Sequence, residues 1–273
     1  MQIAQFLRPE TRTTREQIKT QPSFKATLQH PNMFFKALES TAPPTLPGDQ
    51  PTHVKKIYQQ HGTTTLGFIF KGGILLSVDS RSTMGGYISS GNVKKVLPIT
   101  QNILATIAGG AADCEFWERN LSQQCKLYET EHNQQIGVSA ASKLFSATLH
   151  QYAGYDLSVG SMISGFDSDK TPHIFYCDNE GNRLPGFMFS VGSGSTFAYS
   201  ILETGYKYDM TDEEAIDLGL KAVMYAAHRD AMSGGMQNVF LITQEGWKLV
   251  KRADNYDVYR EKFGGEKLPR SVV

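Results

Sequence analysis

The sequence predicts an α+β fold of four layers, an αββα sandwich with two sheets inside and helices on both outer sides. Strand-like runs occur in groups and helical runs in pairs, in the order strands, two helices, strands, two helices, strands. Such grouping argues against the alternation of a βαβ parallel sheet. Two sheets packed face to face, each covered by a helix pair, bury every apolar face. A length of 273 residues suits one large domain plus an appendage, or two small domains, and 40% hydrophobic residues are enough for a core. The chain contains no internal repeat.

The composition changes near residue 60. Residues 1–60 are rich in Thr, Gln, Pro and Lys/Arg and include the loop-like run Thr41-Ala42-Pro43-Pro44-Thr45-Leu46-Pro47-Gly48. They read as a leader, extended or irregular, with a flexible tail of no role as the alternative. Regular patterning begins at Thr63. Thr63 to Phe70 reads as a strand, Lys71-Gly72-Gly73 as a turn, and Ile74 to Asp79 as the returning strand. Asn92 to Ile99 and Ile103 to Ala108 form a second pair, broken by Gly109-Gly110.

An amphipathic helix follows over Ala112 to Glu131, with Phe116, Trp117, Leu121, Cys125 and Tyr128 at helical spacing. Ser139 is read as the N-cap of a second helix carrying Leu144, Phe145, Leu149 and Tyr152. Strands are expected at Ser158–Gly165, His173–Cys177 and Phe187–Val191, with a reversal at Asn179 to Asn182. Gly192-Ser193-Gly194-Ser195 leads into a short helix, Thr196 to Thr204. Thr211-Asp212-Glu213-Glu214 is a capping box opening a helix through Ala227. A hairpin, Asn238–Thr243 with Trp247–Lys251, turns at Glu245-Gly246.

Formal net charge is zero, which gives no reason to expect nucleic acid or a membrane surface as partner. The three cysteines, Cys114, Cys125 and Cys177, have neither the number nor the spacing of a secreted disulfide framework. No Cys/His cluster has zinc spacing, so no metal and no cofactor are expected. No apolar run reaches membrane-span length, and Arg8 follows the apolar start, the wrong order for a secretory signal. A reducing intracellular compartment is the expectation.

Chemistry concentrates at His61-Gly62-Thr63-Thr64-Thr65, where the leader meets a strand. If the Gly62–Thr63 bond breaks, Thr63 gains a free amine beside its own hydroxyl, a nucleophile and a base on one residue. Roughly a quarter of an α-amine is neutral at pH 7.4, against roughly 0.1% of an unperturbed lysine. A plain β-branched strand start is the alternative. Asp79 ends the strand across a tight turn from Thr63. Alternation puts Lys94 and Lys95 on opposite faces, so one points inward. An inward lysine disfavours protonation of the amine, and Asp79 offsets its burial; an ordinary cross-strand ion pair is the alternative. Gly109-Gly110-Ala111-Ala112 offers amides for an oxyanion, or is only a strand-to-helix turn. Gly192 to Ser195 lacks the lysine of a phosphate loop. Arg229 to Gly235 has the form of a helix C-terminus, and His228 is read as structural.

In combination these segments resemble the catalytic β subunits of the proteasome. Gly62-Thr63-Thr64-Thr65, Ser77-Val78-Asp79-Ser80-Arg81, Lys94-Lys95, Ala108 to Cys114, Gly192 to Ser195, and Arg229-Asp230-Ala231 with Ser233-Gly234-Gly235 occur in that family's order. Phe116-Trp117-Glu118-Arg119, Gln151-Tyr152 and Tyr176 to Arg183 are similar to its chymotrypsin-like branch. The resemblance runs from Thr63 to the C-terminus and implies an N-terminal-nucleophile hydrolase. Residues 1–62 would be a removable propeptide, cut between Gly62 and Thr63, and residues 63–273 a threonine peptidase domain.

It further implies that Thr63 is the nucleophile, with Lys95 tuning it, Asp79 orienting Lys95, and Ser193, Asp230 and Ser233 supporting the amine. Gly109 would serve the oxyanion. Ser82, Thr83, Val93, Ile107, Gly109, Ala111 and Cys114 would bind substrate, with Ile107 and Ser82 standing where methionine and alanine are common. The implied partners are α and β subunits in stacked heptameric rings, unfolded polypeptide substrates and peptide-like inhibitors, in cytoplasm and nucleus. A non-catalytic ring subunit, another catalytic β subunit and a bacterial-type two-ring subunit are the rivals.

Overall fold

The computed structural model describes residues 62–264. Except for Gly62, the proposed leader lies outside the described residues, as does the chain beyond Gly264.

One sheet has five strands in the order β11 (Met188–Val191), β1 (Thr65–Phe70), β2 (Gly73–Val78), β12 (Met236–Thr243) and β13 (Gly246–Asp254). The other has β10 (Arg183–Gly186), β9 (Pro172–Asp178), β8 (Val159–Phe166), β6 (Ile103–Thr106) and β5 (Val96–Pro98), with the two-residue β7 (Ala108–Gly109) also on β8. All pairings in both sheets are antiparallel. Helices α1 (Ala111–His132) and α2 (Val138–Gln151) cover the second sheet; α3 (Ser195–Gly205) and α4 (Asp212–Arg229) cover the first.

Three apolar clusters define the layers. Ile74, Leu76, Val78, Leu104, Met162 and Ile174 fill the space between the sheets. Leu121, Cys125, Phe145 and Leu149 join α1 and α2 to Ile103, Ile163 and Phe175. Leu202, Leu218, Val223 and Ala226 join α3 and α4 to Leu66, Phe68 and Leu241. The expected αββα sandwich is therefore the observed fold. In β1 and β2 nearly every residue is buried, because each face of these central strands meets another layer.

Three local expectations change. Lys94 and Lys95 precede β5 instead of lying within a strand from Asn92 to Ile99: the Val93 amide leaves the sheet to donate to Ser80 O, and only Lys95 O, accepting from Ile107 N, keeps the β5–β6 register. Ser139 is not an N-cap. The helix starts at Val138 after Gly137, and Asp167, distant in sequence, accepts the Ser139 amide at 2.9 Å. Phe116 points outward, because the inward stripe of α1 is Cys114, Glu118, Leu121 and Cys125.

Three elements also go beyond the sequence reading. The exposed hairpin of β3 (Ser82–Met84) and β4 (Tyr87–Ser90) turns at Gly85-Gly86, β10 contains Pro185 on a sheet edge, and a terminal helix α5 spans Asn255–Phe263. The Thr211 capping box forms as expected, with Glu214 N on the Thr211 hydroxyl and Glu214 reaching back to the Thr211 amide.

Candidate active site

Four neighbouring strands bring the site together at one end of the first sheet. Thr65 lies opposite Val191 on one side and Val78 on the other, and Val78 lies opposite Asn238. The segments just beyond these positions carry Thr63, Ser193, Asp79 and Ser233. The β1–β2 turn fixes this register, so a one-residue slip would move Asp79 away from Thr64.

At the centre, Lys95 Nζ donates to Asp79 Oδ1 at 2.6 Å, to Thr63 Oγ1 at 3.0 Å and to Gly62 O at 3.2 Å. Lys95 is 3% exposed and Asp79 is fully buried, so water does not screen the pair. Lys94 is exposed and Lys95 buried, so one of the two lysines points inward, although neither lies within a strand. Asp79 is held from several directions: Oδ1 accepts from Thr64 N at 2.9 Å, and Oδ2 from Gly234 N at 3.0 Å and Arg81 N at 3.3 Å. Burial lowers the Lys95 pKa below the ordinary lysine value, while the Asp79 charge opposes that fall. Burial likewise raises Asp79, against the Lys95 charge and the Thr64 and Gly234 amides. Lys95 is thus nearer to giving up its proton than a solvated lysine.

The Gly62–Thr63 bond is intact. Thr63 Oγ1 donates to Gly62 O at 2.6 Å, and Gly62 N donates to Thr83 Oγ1 at 3.0 Å. A Cβ on Gly62 would lie 2.1 Å from Met232 Cβ and 2.4 Å from Met232 O, so any larger residue must displace the Gly62–Thr63 peptide. Gly62→Ala is expected to leave most of the protein uncleaved at this bond, as read by the mass of the subunit from assembled material. Complete removal of the leader from that variant would contradict the tight seat.

Around the Thr63 nitrogen, the backbone N–H donates to Ser193 Oγ at 3.1 Å, and Ser193 Oγ donates to Asp230 Oδ2 at 2.6 Å. Ser233 Oγ also donates to Asp230 Oδ2 at 2.6 Å and lies 2.7 Å from Thr64 Oγ1. The glycines of 192–195 serve close approach rather than phosphate. Gly192 and Gly194 face Thr63 O and Thr64 Oγ1, and a Cβ on either would overlap that oxygen. His228 stacks on Tyr259 with centroids 4.7 Å apart, away from this network.

The proposed substrate residues spread around the same end. Thr83 holds Gly62. Val93 follows Ser80 through its amide, and Ile107 is tied to the Lys95 carbonyl. Ser82 is half-buried, bonded through its hydroxyl to Ser89 at 3.1 Å, and Ala111 is exposed at the start of α1. Cys114 is wholly buried, its thiol directed to Ala108 O at 3.3 Å. Of the two glycine amides, Gly110's is committed to Ser158 O at 2.8 Å, which leaves Gly109 as the oxyanion candidate. Sequence reasoning gave no separate role to Thr64, Met232 or Glu118. The first two had no signal beyond a threonine triplet and a methionine in a loop. Glu118 had one, an acidic residue in an apolar helical stripe.

A family model described as proteasome subunit matches residues 59–242, which takes in Thr63, the Lys95–Asp79 ion pair and strands β1, β2 and β11. This chain belongs to the proteasome subunit family. A proteasome subunit beta type-5 from Dictyostelium discoideum is 46% identical over 253 residues, covering 90% of this chain and 93% of the relative. Beta type-5-A from Arabidopsis thaliana is 53% identical over 193 residues, covering 71% and 70%. Beta type-8 from Canis lupus familiaris is 50% identical over 194 residues, covering 71% and 70%. With that membership and with Lys95 Nζ in contact with both Thr63 and Asp79, this proteasome subunit is a catalytic β subunit of the 20S core and a threonine endopeptidase that assembles with other proteasome subunits.

Proposed function

We propose that this subunit is made as a precursor that cuts its own Gly62–Thr63 bond and then cleaves polypeptides after hydrophobic residues. The observation that carries this reading is the triple contact of Lys95 Nζ, Thr63 Oγ1 and Gly62 O, with separations of 2.6 to 3.2 Å. Nucleophile, proton acceptor and scissile carbonyl stand within hydrogen-bond reach before any cleavage.

In the intact chain the Thr63 nitrogen is an amide and cannot act as a base. Lys95, with its proton affinity lowered by burial, takes the Thr63 hydroxyl proton instead. Thr63 Oγ1 attacks the Gly62 carbonyl carbon, the C–N bond breaks, and the nitrogen receives the proton. The acyl group now sits as an ester on Thr63 Oγ1. Water hydrolyses it, giving a Gly62 carboxylate and restoring the Thr63 hydroxyl beside the amine already freed. Ser193, hydrogen-bonded to Asp230, keeps hold of that amine.

In peptide cleavage the freed amine takes the hydroxyl proton through water, and the ester forms on substrate instead of leader. Lys95 holds Thr63 Oγ1 and stabilises its developing charge, Asp79 and Ser233 fix their neighbours, and Gly109 donates to the oxyanion. Ser82, Thr83, Val93, Ile107 and Ala111, backed by Cys114, form an uncharged wall that suits an apolar side chain. Ile107 is branched and stiff, which narrows the range of accepted shapes. The substrates are unfolded polypeptides, peptide-like inhibitors occupy the same groove, and neighbouring α and β subunits complete stacked heptameric rings in cytoplasm and nucleus. The 62-residue leader keeps the amine masked until assembly.

The test is a peptide panel on the purified complex, varying only the residue before the scissile bond. Leu, Tyr and Phe should be favoured over Lys and Glu by roughly 10-fold or more, the scale of one well-filled apolar pocket. This preference should vanish when Ile107 is replaced by arginine. A preference for acidic or basic residues that survives in a chain with free Thr63 would point to another catalytic β type.

A further inference from the structure

Glu118 lies in the inward stripe of α1, between Cys114 and Leu121, and is fully buried. Its Oε1 accepts from Ser161 Oγ at 2.9 Å, while Oε2 has no hydrogen-bond partner in the described structure. A carboxyl group in that setting needs a reason, since an apolar residue would fill the stripe without the cost of burying polar atoms.

The reason lies in what α1 carries. Gly109, at the end of β7, and Ala111 and Cys114, in the first turn of α1, belong to one short continuous segment. β7 is only two residues long and pairs Ala108 with Gly160 and Gly109 with Val159 on β8. The helix start is stitched to the residue before β8: Gly110 N donates to Ser158 O at 2.8 Å, and Asp113 Oδ2 accepts Ser158 N at 3.1 Å. Glu118 makes the next stitch, one turn further along, to Ser161. The two stitches flank Val159 and Gly160, the partners of the oxyanion strand.

We propose that Glu118, in its protonated form, is a positioning residue that locks α1 to β8 and thereby sets the oxyanion amide of Gly109 and the pocket wall at Ala111 and Cys114. The inference rests on the roles given to those residues above. Charge on Glu118 would be buried beside the Cys114 thiol, whose own ionisation it opposes. Burial raises the Glu118 pKa from 4.5 to about 8, the Ser161 hydrogen bond opposes the rise, and Glu115 on the same helix adds to it. Ser161 is the group on β8 that contacts it, and it carries no charge. Working near neutral pH therefore keeps the acid form, and raising the pH through about 8 places a charge in the helix–sheet layer. The linkage sign follows: stability tied to this proton is complete below 4.5 and is lost as pH rises to about 8.

The experiment uses assembled particles carrying Glu118→Gln or Glu118→Ala, with hydrolysis of a hydrophobic peptide followed from pH 6 to 9.5. Wild type should show an alkaline fall in kcat/KM with an apparent pKa of about 8. E118Q, neutral and of the same shape, should keep neutral-pH kcat/KM within about twofold and lose that fall, while E118A should lose about 10-fold or more at every pH, the scale of a slight misplacement of catalytic groups. An alkaline limb in E118Q that superimposes on wild type overturns the proposal, as does wild-type kcat/KM in E118A. Should E118A fail to assemble, E118Q decides alone. A Thr63→Ala particle run alongside separates the two readings. If it stays active, the site assignment is wrong. If it is inactive while both Glu118 variants match wild type, only the role of Glu118 falls.

Discussion

Thr63→Ala particles are expected to retain the leader on this subunit and to lose its share of hydrophobic-site cleavage altogether. The variant removes only one hydroxyl and one methyl group from a residue that is 5% exposed, and Thr64, Asp79 and Lys95 keep their mutual bonds. The fold should therefore survive while the nucleophile is gone. Loss of a covalent nucleophile costs on the order of 10⁶-fold in kcat. Two readouts make the result decisive. The mass of the subunit reports whether Gly62–Thr63 is intact, and a peptide with a hydrophobic residue before the scissile bond reports turnover. Because other subunits in the particle also cleave peptides, the mass is the stricter measure. A Thr63→Ala subunit found with its leader cut at Gly62 would mean that another group does the cutting. Thr63→Ser keeps the hydroxyl and should restore both processing and turnover in part.

Lys95→Ala is expected to abolish activity and also to destabilise the subunit. Its ammonium is the cation 2.6 Å from a fully buried Asp79, and removing one partner of such a pair costs about 3–5 kcal/mol. Loss of activity alone would then be ambiguous. The double variant Lys95→Met with Asp79→Asn resolves it, because no charge is left unpaired and both shapes are nearly kept. We expect this double variant to recover most of the lost stability, measured as the melting temperature of the isolated subunit or its incorporation into particles. It should remain uncleaved at Gly62 and inactive. Recovered turnover in the double variant would show that Lys95 serves only as a structural partner of Asp79. Lys95→Arg is expected to be inactive too: a guanidinium stays charged at any working pH and cannot accept the Thr63 proton.

Burial explains why these two effects dominate. The same desolvation that makes the pair costly to break also lowers the proton affinity of Lys95, so stability and reactivity come from one arrangement. The orienting bonds to Asp79 come from backbone amides of Thr64, Gly234 and Arg81, groups that no side-chain substitution removes.

Much of this was readable along the chain. That one of the adjacent lysines turns inward was expected, and it is Lys95, although the strand assumed for both begins only at Val96. The Lys71-Gly72 turn put Asp79 across from Thr64, because a hairpin that tight leaves little freedom of register. The capping box at Thr211 is local chemistry and formed as written. Errors arose where a partner came from far away. Ser139 had the residue type of an N-cap, but Asp167 supplies the acceptor instead. Phe116 was grouped with Trp117, Leu121, Cys125 and Tyr128 in one helical pattern, yet the sheet beneath α1 selected a different stripe.

By itself, then, the sequence determined the layer order, the threonine at the leader junction and the acid and lysine that accompany it, because periodicity and tight turns act over a few residues. Only the tertiary structure decided that Ser193, from the turn after β11, and Ser233, from the loop before β12, flank Thr63 and Thr64, since that proximity comes from the strand order β11-β1-β2-β12. It also decided that Cys114 is wholly buried with its thiol on Ala108 O and that Glu118 is buried against Ser161. Both depend on how a helix sits on a sheet, and that is set by many weak contacts summed over the interface and by no single residue.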